Sequence, residues 1–234
     1  MAPRSASGGK RVAVMQPYFF PYAGYFRLLD VVDHFVVFDC VQFPRRGRVH
    51  RTQVPGPTGG VEWLTLPLAS MPRDVLIRDL AFAPDARARL DDRLSRCAWL
   101  ATAEGAIAER LRAHLHGPLR SVIDYLIAAL ELVADILGLA PTITRSSDLA
   151  LDPPLKSQDR VVAAVKAVGG THYVNPPGGH HLYEAAAFAN TGLTLSFLVP
   201  YGGRYRYLLP ALASQPPVAI LEDIRAWSRL EPPN

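Results

Sequence analysis

The stretch RVAVMQPYFFPYAGYFRLLDVVDHFVVF, residues 11–38, decides the fold of this chain. It opens with a short apolar run at Arg11–Met15, continues through a loop of aromatic residues and prolines, and then predicts a helix over about 23–32. A second apolar run follows at 35–38. Strand, loop, helix and strand within about 30 residues is typical of the βαβ unit of a parallel sheet, whose buried strands are unbroken apolar runs. The stretch therefore predicts two parallel neighbouring strands at the centre of an α/β sheet.

The rest of the chain continues this pattern within one domain. Its 234 residues, 49% of them hydrophobic and 20% charged, are enough for one large core. We expect a disordered tail at 1–10 and a single α/β domain over 11–234, with an exposed loop at 44–60 and an added helical segment at about 84–138. Further strands are predicted at 61–68, 172–175 and 193–198, and helices at 84–116, 119–137, 157–168 and 184–190.

Composition narrows the function classes. The net charge of +4 permits an anionic ligand without requiring nucleic acid. Two cysteines cannot build a disulfide framework or a four-cysteine zinc site. Residues 1–10 lack the apolar core of a signal peptide, and the charges within 118–138 make that segment an amphipathic helix, not a membrane span. We therefore expect a cytoplasmic protein.

The loop after the first strand is the first candidate site. In open α/β sheets, ligands bind beyond the carboxyl ends of the strands, near the first turn. A glycine there lets backbone approach a ligand, and a helix N-terminus favours phosphate. Alternatively, the aromatic rings only fill the end of the sheet. The candidate ligand contacts are Gln16, Tyr18, Tyr22, Gly24 and Tyr25.

The segment after the second strand adds charge at the same edge. Residues 39–51 contain Arg45, Arg46, Arg48 and Arg51, which can neutralise an anion, while Asp39 can orient one of them or accept a proton. The alternative is a solvated basic loop. We expect Gln16, Tyr25, Asp39 and Arg46 to line one cavity.

The place of Tyr22-Ala23-Gly24-Tyr25 invites a comparison of folds. Nucleotidylyltransferases and class I aminoacyl-tRNA synthetases carry a His-x-Gly-His tetrad after their first strand, and the segment 22–25 occupies the same relative place without the histidines. The analogy predicts a three-layer Rossmann-like (nucleotidylyltransferase/HUP-like) parallel sheet, but not adenylyl transfer by that mechanism.

Several short motifs together resemble the WbqC-like protein family over about residues 11–205. They are QPYFFPYAGYF at 16–26, DCVQF at 39–43, RG at 46–47, Arg51, WLTLP at 63–67, KSQDR at 156–160 and YVN at 173–175. The resemblance implies a link to bacterial surface sugars and other specialised products, with acyl or aminoacyl transfer as a proposal for the reaction. It adds Gln42, Lys156, Arg160 and Asn175 to the candidate ligand contacts. The chain departs from the family at three positions, where Cys40, Arg48 and His50 replace an acidic residue, a tryptophan and an asparagine.

Two further constellations leave alternatives open. A thiol nucleophile at Cys40 with His50 as its base is conceivable, but a cysteine at the end of a buried strand is more often a small core residue. His172, His180, His181 and Glu184 form a metal-like cluster, in which His180 and Glu184 are four residues apart. A Pro/Gly turn precedes them, and a helix that begins only at Tyr183 would not place His180 and Glu184 on one face. We predict no metal site.

These observations favour a group-transfer enzyme, a transferase that moves an acyl or aminoacyl group from an activated nucleotide-linked donor to an amine or sugar acceptor. Tyr25, Asp39 and His50 are the predicted catalytic residues, and no cofactor is identified. The alternatives are a binding protein that holds an anionic or nucleotide-linked ligand without turnover, and an RNA-contacting protein with tRNA as its partner.

Overall fold

The computed structural model of the protein describes residues 9–56 and 59–233. Most of the predicted tail, residues 1–8, lies outside the described residues. Lys10 at its end is anchored, because its Nζ donates a hydrogen bond of 2.7 Å to the Val168 carbonyl. No helix in the described part of the chain has the length and apolar character that crossing a membrane requires.

The central sheet has six strands, five of them parallel. The strands of the protein are β1 (Arg11–Met15), β2 (His34–Val37), β3 (Arg51–Pro55), β4 (Val61–Thr65), β5 (Thr142–Arg145), β6 (His172–Asn175), β7 (Thr194–Leu198) and β8 (Leu230–Glu231). The sheet order is β5-β2-β1-β6-β7-β8, in which only β8 runs antiparallel to its neighbour, and β3 and β4 form a separate antiparallel hairpin.

The predicted central pair is confirmed. Strands β1 and β2 are parallel neighbours inside the sheet, in register from Val12↔His34 to Met15↔Val37. Their unbroken apolar character follows from burial on both faces, since Val12, Ala13, Phe35 and Val36 have no exposed surface.

Helices cover both faces of the sheet. The helices are α1 (Ala23–Val31), α2 (Ala86–Ser95), α3 (Ala98–Thr102), α4 (Ala106–Leu115), α5 (Val122–Ile136), α6 (Ser157–Ala167), α7 (Ala185–Asn190), α8 (Leu208–Ser214) and α9 (Pro217–Ala226). Because strand residues alternate between faces, Ala13 and Phe35 pack in one core with α1 and α5, whereas Val14 and Val36 pack in a second core with α6. The protein is therefore a mixed α/β fold with a mostly parallel sheet between helical layers.

Several elements differ from the sequence prediction. The predicted loop at 44–60 is wrong over Arg51–Pro55, which forms β3 of the hairpin. The helical stretch at 84–116 is divided into α2, α3 and α4. Strand β5 was not predicted, because its residues TITR are all partly exposed and form no apolar run. The elements after β7, namely α8, α9 and β8, were not predicted either.

The helical segment packs against the first loop through aromatic rings. The ring of His114 in α4 stacks on Tyr125 in α5 at 4.3 Å and meets Phe20 of the first loop edge to face at 5.6 Å. Phe19 lies 6.1 Å from Tyr125. Burial in this apolar setting lowers the pKa of His114 to about 4. The segment therefore holds the first loop in place by contacts that require a neutral imidazole.

This packing predicts a loss of stability in acid. An imidazole with a pKa of about 6.5 in the unfolded chain and about 4 in the folded protein binds a proton more readily when unfolded. The free energy of unfolding should therefore fall as the pH drops from about 6.5 toward 4. In His114→Phe this fall should be smaller than in the wild type, as measured by urea unfolding at each pH. The exposed His181 gives the control, because His181→Gln should keep the wild-type pH profile. Parallel profiles for His114→Phe and the wild type would show that His114 does not contribute.

Candidate functional site

The candidate site lies at the carboxyl edge of the sheet, where the chain direction switches. After β1 the chain turns to α1 and β2 on one side, and after β6 it turns to α7 and β7 on the other. Strands β1 and β6 pair at Arg11↔His172 and Val12↔Tyr173, near their amino ends. Loops that leave in opposite directions from adjacent strands open a crevice, and ligands of open α/β sheets bind in such crevices.

Tyr25 fixes the first loop on one side of this crevice. Its hydroxyl donates a hydrogen bond of 2.7 Å to the Gln16 carbonyl, and its ring lies 5.3 Å from that of Tyr18. Burial raises the pKa of Tyr25 well above its usual range, so the phenol keeps its proton and remains a donor. The structure thus brings Gln16, Tyr18 and Tyr25 together, with Tyr25 holding the loop.

Gly24 is needed for packing within the protein. A Cβ there would meet the Tyr22 ring at 2.2 Å and the Tyr201 ring at 2.8 Å. The two rings, 5.6 Å apart, therefore fill the space that we expected a ligand to approach. Below them the fully buried Arg27 donates to the Gly24, Val199 and Trp227 carbonyls at 2.6–3.0 Å and ties α1 to the C-terminal segment.

Asp39 joins the end of β2 to the end of β5. Its carboxylate has no exposed surface, and it accepts hydrogen bonds from the Ser146 hydroxyl at 2.8 Å, the Ser147 amide at 2.9 Å and the Ser147 hydroxyl at 2.7 Å. The Arg145 guanidinium lies 3.8 Å away and also pairs with Asp124 at 2.9 Å. A buried carboxylate is tolerated only when it is bonded in this way. Asp39 therefore sets the relative positions of the two strand ends.

Cys40 lies next to this carboxylate and contacts Arg160. Its partly exposed thiol is 3.1 Å from the Ser146 hydroxyl and 3.3 Å from Nη1 of Arg160. Arg160 also donates to the Leu155 and Pro153 carbonyls, both at 2.7 Å, so its guanidinium is held at the edge of the sheet. Lys156, at the start of α6, the helix that carries Arg160, is exposed.

Asn175 shapes the other side of the crevice. It is buried at the end of β6, its Oδ1 accepts from the Tyr173 hydroxyl at 2.9 Å, and its Nδ2 lies 3.3 Å from the Pro176 carbonyl. A Cβ at Gly179 would lie 1.7 Å from that Nδ2. The 3₁₀ turn at Pro177–Leu182 therefore packs directly on the Asn175 side-chain amide, and it needs glycine at position 179, where the two are in contact.

His50 lies away from the Asp39 and Cys40 cluster, beneath the hairpin. Its ring meets Phe43 edge to face at 5.1 Å. Desolvation, and then the charges of Arg51 and Arg93, lower the pKa of His50 to about 4. No hydrogen bond or ring contact joins His50 to Cys40 among the described residues, so the structure gives no support to a Cys–His pair.

The arginine loop is only partly free to bind a ligand. Arg51 donates to the Gly47 carbonyl at 3.0 Å and to the Arg46 carbonyl at 2.5 Å, and its guanidinium lies 4.3 Å from the Trp63 ring. Arg46 is exposed. Gln42 is exposed and donates to the Arg73 carbonyl at 3.0 Å. The predicted single cavity for Gln16, Tyr25, Asp39 and Arg46 stays a prediction, and Asp39 is sealed from solvent in this conformation.

The histidines near β6 have structural partners. The His180 ring stacks on Phe197 at 3.8 Å, and its Nε2 lies 3.2 Å from a Glu231 oxygen. His181 and Glu184 are exposed, and helix α7 begins only at Ala185. Within residues 9–56 and 59–233, no three His, Cys, Asp or Glu side chains are arranged to hold a metal ion.

Sequence reasoning missed the partners of the predicted residues. Ser146 and Ser147 follow β5, a strand that was not predicted, and their signal was only a polar pair after the short alternating run TITR. Arg27 lies in α1, and nothing in its sequence position indicates complete burial.

Comparison with known proteins gives a family and one curated relative. The model of the WbqC-like protein family matches residues 16–210. A protein of Mycobacterium tuberculosis (strain ATCC 25618 / H37Rv), described as "Uncharacterized protein Rv1507c", is 23% identical over 219 residues, which cover 91% of this chain and 92% of the relative. No solved structure matches the chain.

The role of Asp39 can be tested by removing its charge. In Asp39→Asn, one of the two accepting oxygens becomes an NH2 group, which is a donor and faces the donors of Ser146 and Ser147. The free energy of unfolding, measured by urea unfolding, should therefore fall by about 2–4 kcal/mol. The control is Asp135→Asn, which removes an exposed partner of Arg110 and should change stability by no more than about 0.5 kcal/mol. Equal effects of the two substitutions would contradict the bracing role of Asp39.

Proposed function

Because the chain belongs to the WbqC-like protein family, we propose that it is a group-transfer enzyme whose donor binds in the crevice between β1 and β6. The donor is an activated, nucleotide-linked acyl or aminoacyl compound, and the acceptor is an amine or a sugar in bacterial surface-glycan or specialised-metabolite biosynthesis. The reaction and both substrate classes are proposals, and they extend beyond what family membership establishes.

The observation that carries the proposal is the held guanidinium of Arg160 at the carboxyl edge. Two backbone carbonyls fix its plane, and its remaining edge contacts a partly exposed thiol instead of a carboxylate. Lys156 adds a second cation at the start of the same helix. Fixed, uncompensated guanidinium groups suit the two-point recognition of phosphate or carboxylate.

The sheet order supports a nucleotide-linked donor. Counting only the parallel strands in chain order, the order is 3-2-1-4-5, with the switch between the first and fourth strands. Doubly wound sheets with this order bind nucleotides across that switch point. The amide group of Gln16 would orient a polar part of the donor there, and the ring of Tyr18 would contact a planar part. Asn175 would act by holding the turn that borders the site. The Rossmann-like assignment remains part of this proposal.

The predicted catalytic residues divide into two groups. We assign Tyr25 and Asp39 to positioning, because their polar atoms are already engaged within the protein. His50 lies next to the arginine loop and not among the residues of this crevice, and its pKa of about 4 makes it a weak base at pH 7. We therefore do not assign proton transfer at the donor site to His50.

One observation favours the second candidate function, the binding of RNA without turnover. The Trp63 ring, 39% exposed, has the guanidinium groups of Arg51 at 4.3 Å and Arg48 at 5.3 Å. Arginine and aromatic side chains together form a surface on which nucleic-acid bases stack.

Ligand binding by Arg160 variants separates the two candidates. ATP, coenzyme A and bulk tRNA are titrated against the wild type, Arg160→Met and the exposed control Arg110→Met at two salt concentrations. We expect ATP or coenzyme A to bind, and Arg160→Met to weaken that binding by about tenfold or more, because a charge-assisted contact of about 1.5–3 kcal/mol is lost. Arg110→Met should bind as the wild type does. If only tRNA binds, with a steep dependence on salt, the second candidate is correct. Unchanged binding in Arg160→Met would contradict the proposed donor site.

Arg46 gives an independent prediction. Because the Arg46 side chain is exposed, substituting it should change the free energy of unfolding by no more than about 0.5 kcal/mol. If Arg46 grips the donor through two parallel hydrogen bonds, Arg46→Lys should impair binding nearly as much as Arg46→Ala, about ten- to a hundredfold, because an ammonium cannot reproduce the planar fork. Wild-type binding by Arg46→Ala would remove this residue from the site.

A further inference from the structure

We propose that the protein has a second binding site, for a compact anion with an apolar or aromatic body, in a cavity between the segment after β4 and α2. The cavity has a volume of about 280 Å³ and is lined by Thr65 at the end of β4, the segment that follows it, residues of the arginine loop and two turns of α2. This site does not depend on the group-transfer reaction proposed above.

The walls of the cavity are suited to an apolar group. Phe43, Leu66, Leu68, Met71 and Val75 line it. Leu66 and Phe43 are almost fully buried, so they form a rigid floor. Small-molecule sites combine such apolar lining with a few polar groups that fix orientation. This volume lies just below their usual range of about 300–1,000 Å³, so the site suits a small ligand.

Three guanidinium groups give the cavity its charge. Arg45 donates to the Met71 and Pro72 carbonyls at 2.6 and 2.8 Å, and Arg93 donates to the Thr65 carbonyl. Neither has a carboxylate within 4.0 Å among residues 9–56 and 59–233. Arg89, the third, pairs with the exposed Asp85 at 3.4 Å. Asp92 also attracts Arg93, but the cations around Arg93 outweigh it. In the described part of the chain, positive charge therefore exceeds negative charge beside the cavity.

The electrostatic setting of Arg93 and His50 agrees with uncompensated charge. Desolvation, and then the neighbouring cations Arg89 and Arg96, lower the pKa of Arg93. The pKa of His50, which also lines the cavity, falls to about 4 for the same kinds of reason. An anion in the cavity would relieve this repulsion, and partly desolvated guanidinium groups bind carboxylate or phosphate strongly.

The lining of this cavity differs from the surface around Trp63 on the hairpin. There Arg48 and Arg51 lie on the exposed Trp63, a surface open to an extended, hydrated polymer. The cavity is instead a half-open recess in which apolar side chains lie beside the charged ones. It therefore fits a small molecule with one charged end, such as an aromatic carboxylate or a phosphate monoester.

Four probes test whether binding needs both an apolar body and a negative charge, by isothermal titration calorimetry at low and moderate salt. Benzoate and phenyl phosphate carry an aromatic body and a charge, benzyl alcohol carries only the body, and inorganic phosphate carries only the charge. We expect benzoate or phenyl phosphate to bind at least tenfold more tightly than either of the other two, and the stronger of the pair identifies the head group. Binding of none of the probes, or equal binding of benzyl alcohol, overturns the proposal.

Variants place the binding in this cavity. Arg45→Met and Arg93→Met each keep an apolar stem and should weaken binding of the preferred probe at least tenfold. The control is Arg110→Met, which removes an exposed charge from α4 outside the cavity lining and should bind as the wild type does. Thermal unfolding identifies folded variants, and if Arg93→Met does not fold, the exposed Arg45 decides the test. Wild-type affinity in Arg45→Met, or an equal loss in Arg110→Met, overturns the assignment to this cavity.

Discussion

The burial of the Asp39 carboxylate is the constraint on which the carboxyl edge of the sheet depends. An ionisable group without solvent contact is tolerated only when donors surround it, and here the donors come from Ser146 and Ser147, more than one hundred residues further along the chain. The long connection between β2 and β5 must therefore return to one place. The same contacts position Cys40 next to Arg160, because the Ser146 hydroxyl also accepts from the Cys40 amide at 3.3 Å.

The two candidate sites lie in different parts of the molecule. The parallel strands are apolar on both faces, so polar groups collect where the strands end. Gln16 and Asn175, at the ends of β1 and β6, border the proposed donor crevice, and Arg160 lies beside Cys40 after the neighbouring strand β2. Arg45 and Arg93 belong to a separate cavity in which charged and apolar side chains are mixed. A donor and a smaller anionic compound could therefore be held by different parts of one protein.

The sequence predicted the parts of the fold that depend on local pattern. Unbroken apolar runs identified β1 and β2, and helical periodicity identified α5. Strands β5 and β3 were not predicted, because their stability comes from neighbouring strands rather than from their own composition. Gln16, Asp39 and Asn175 stand at the carboxyl ends of β1, β2 and β6, but their roles could not be read from the sequence. Gly24 leaves room for the Tyr201 ring, and Asp39 accepts hydrogen bonds from the segment after β5. Both roles depend on contacts with distant segments, which the sequence does not show.

The central claim is that ligand binds at the switch between β1 and β6, and hydrogen exchange measures this most directly. Amide exchange is followed by mass spectrometry with and without saturating ATP or coenzyme A. The account predicts slower exchange in peptides that cover residues 16–22 and 176–182, with the β3–β4 hairpin unchanged. Slower exchange confined to the hairpin, or bound ligand with no protection at either loop, would contradict it.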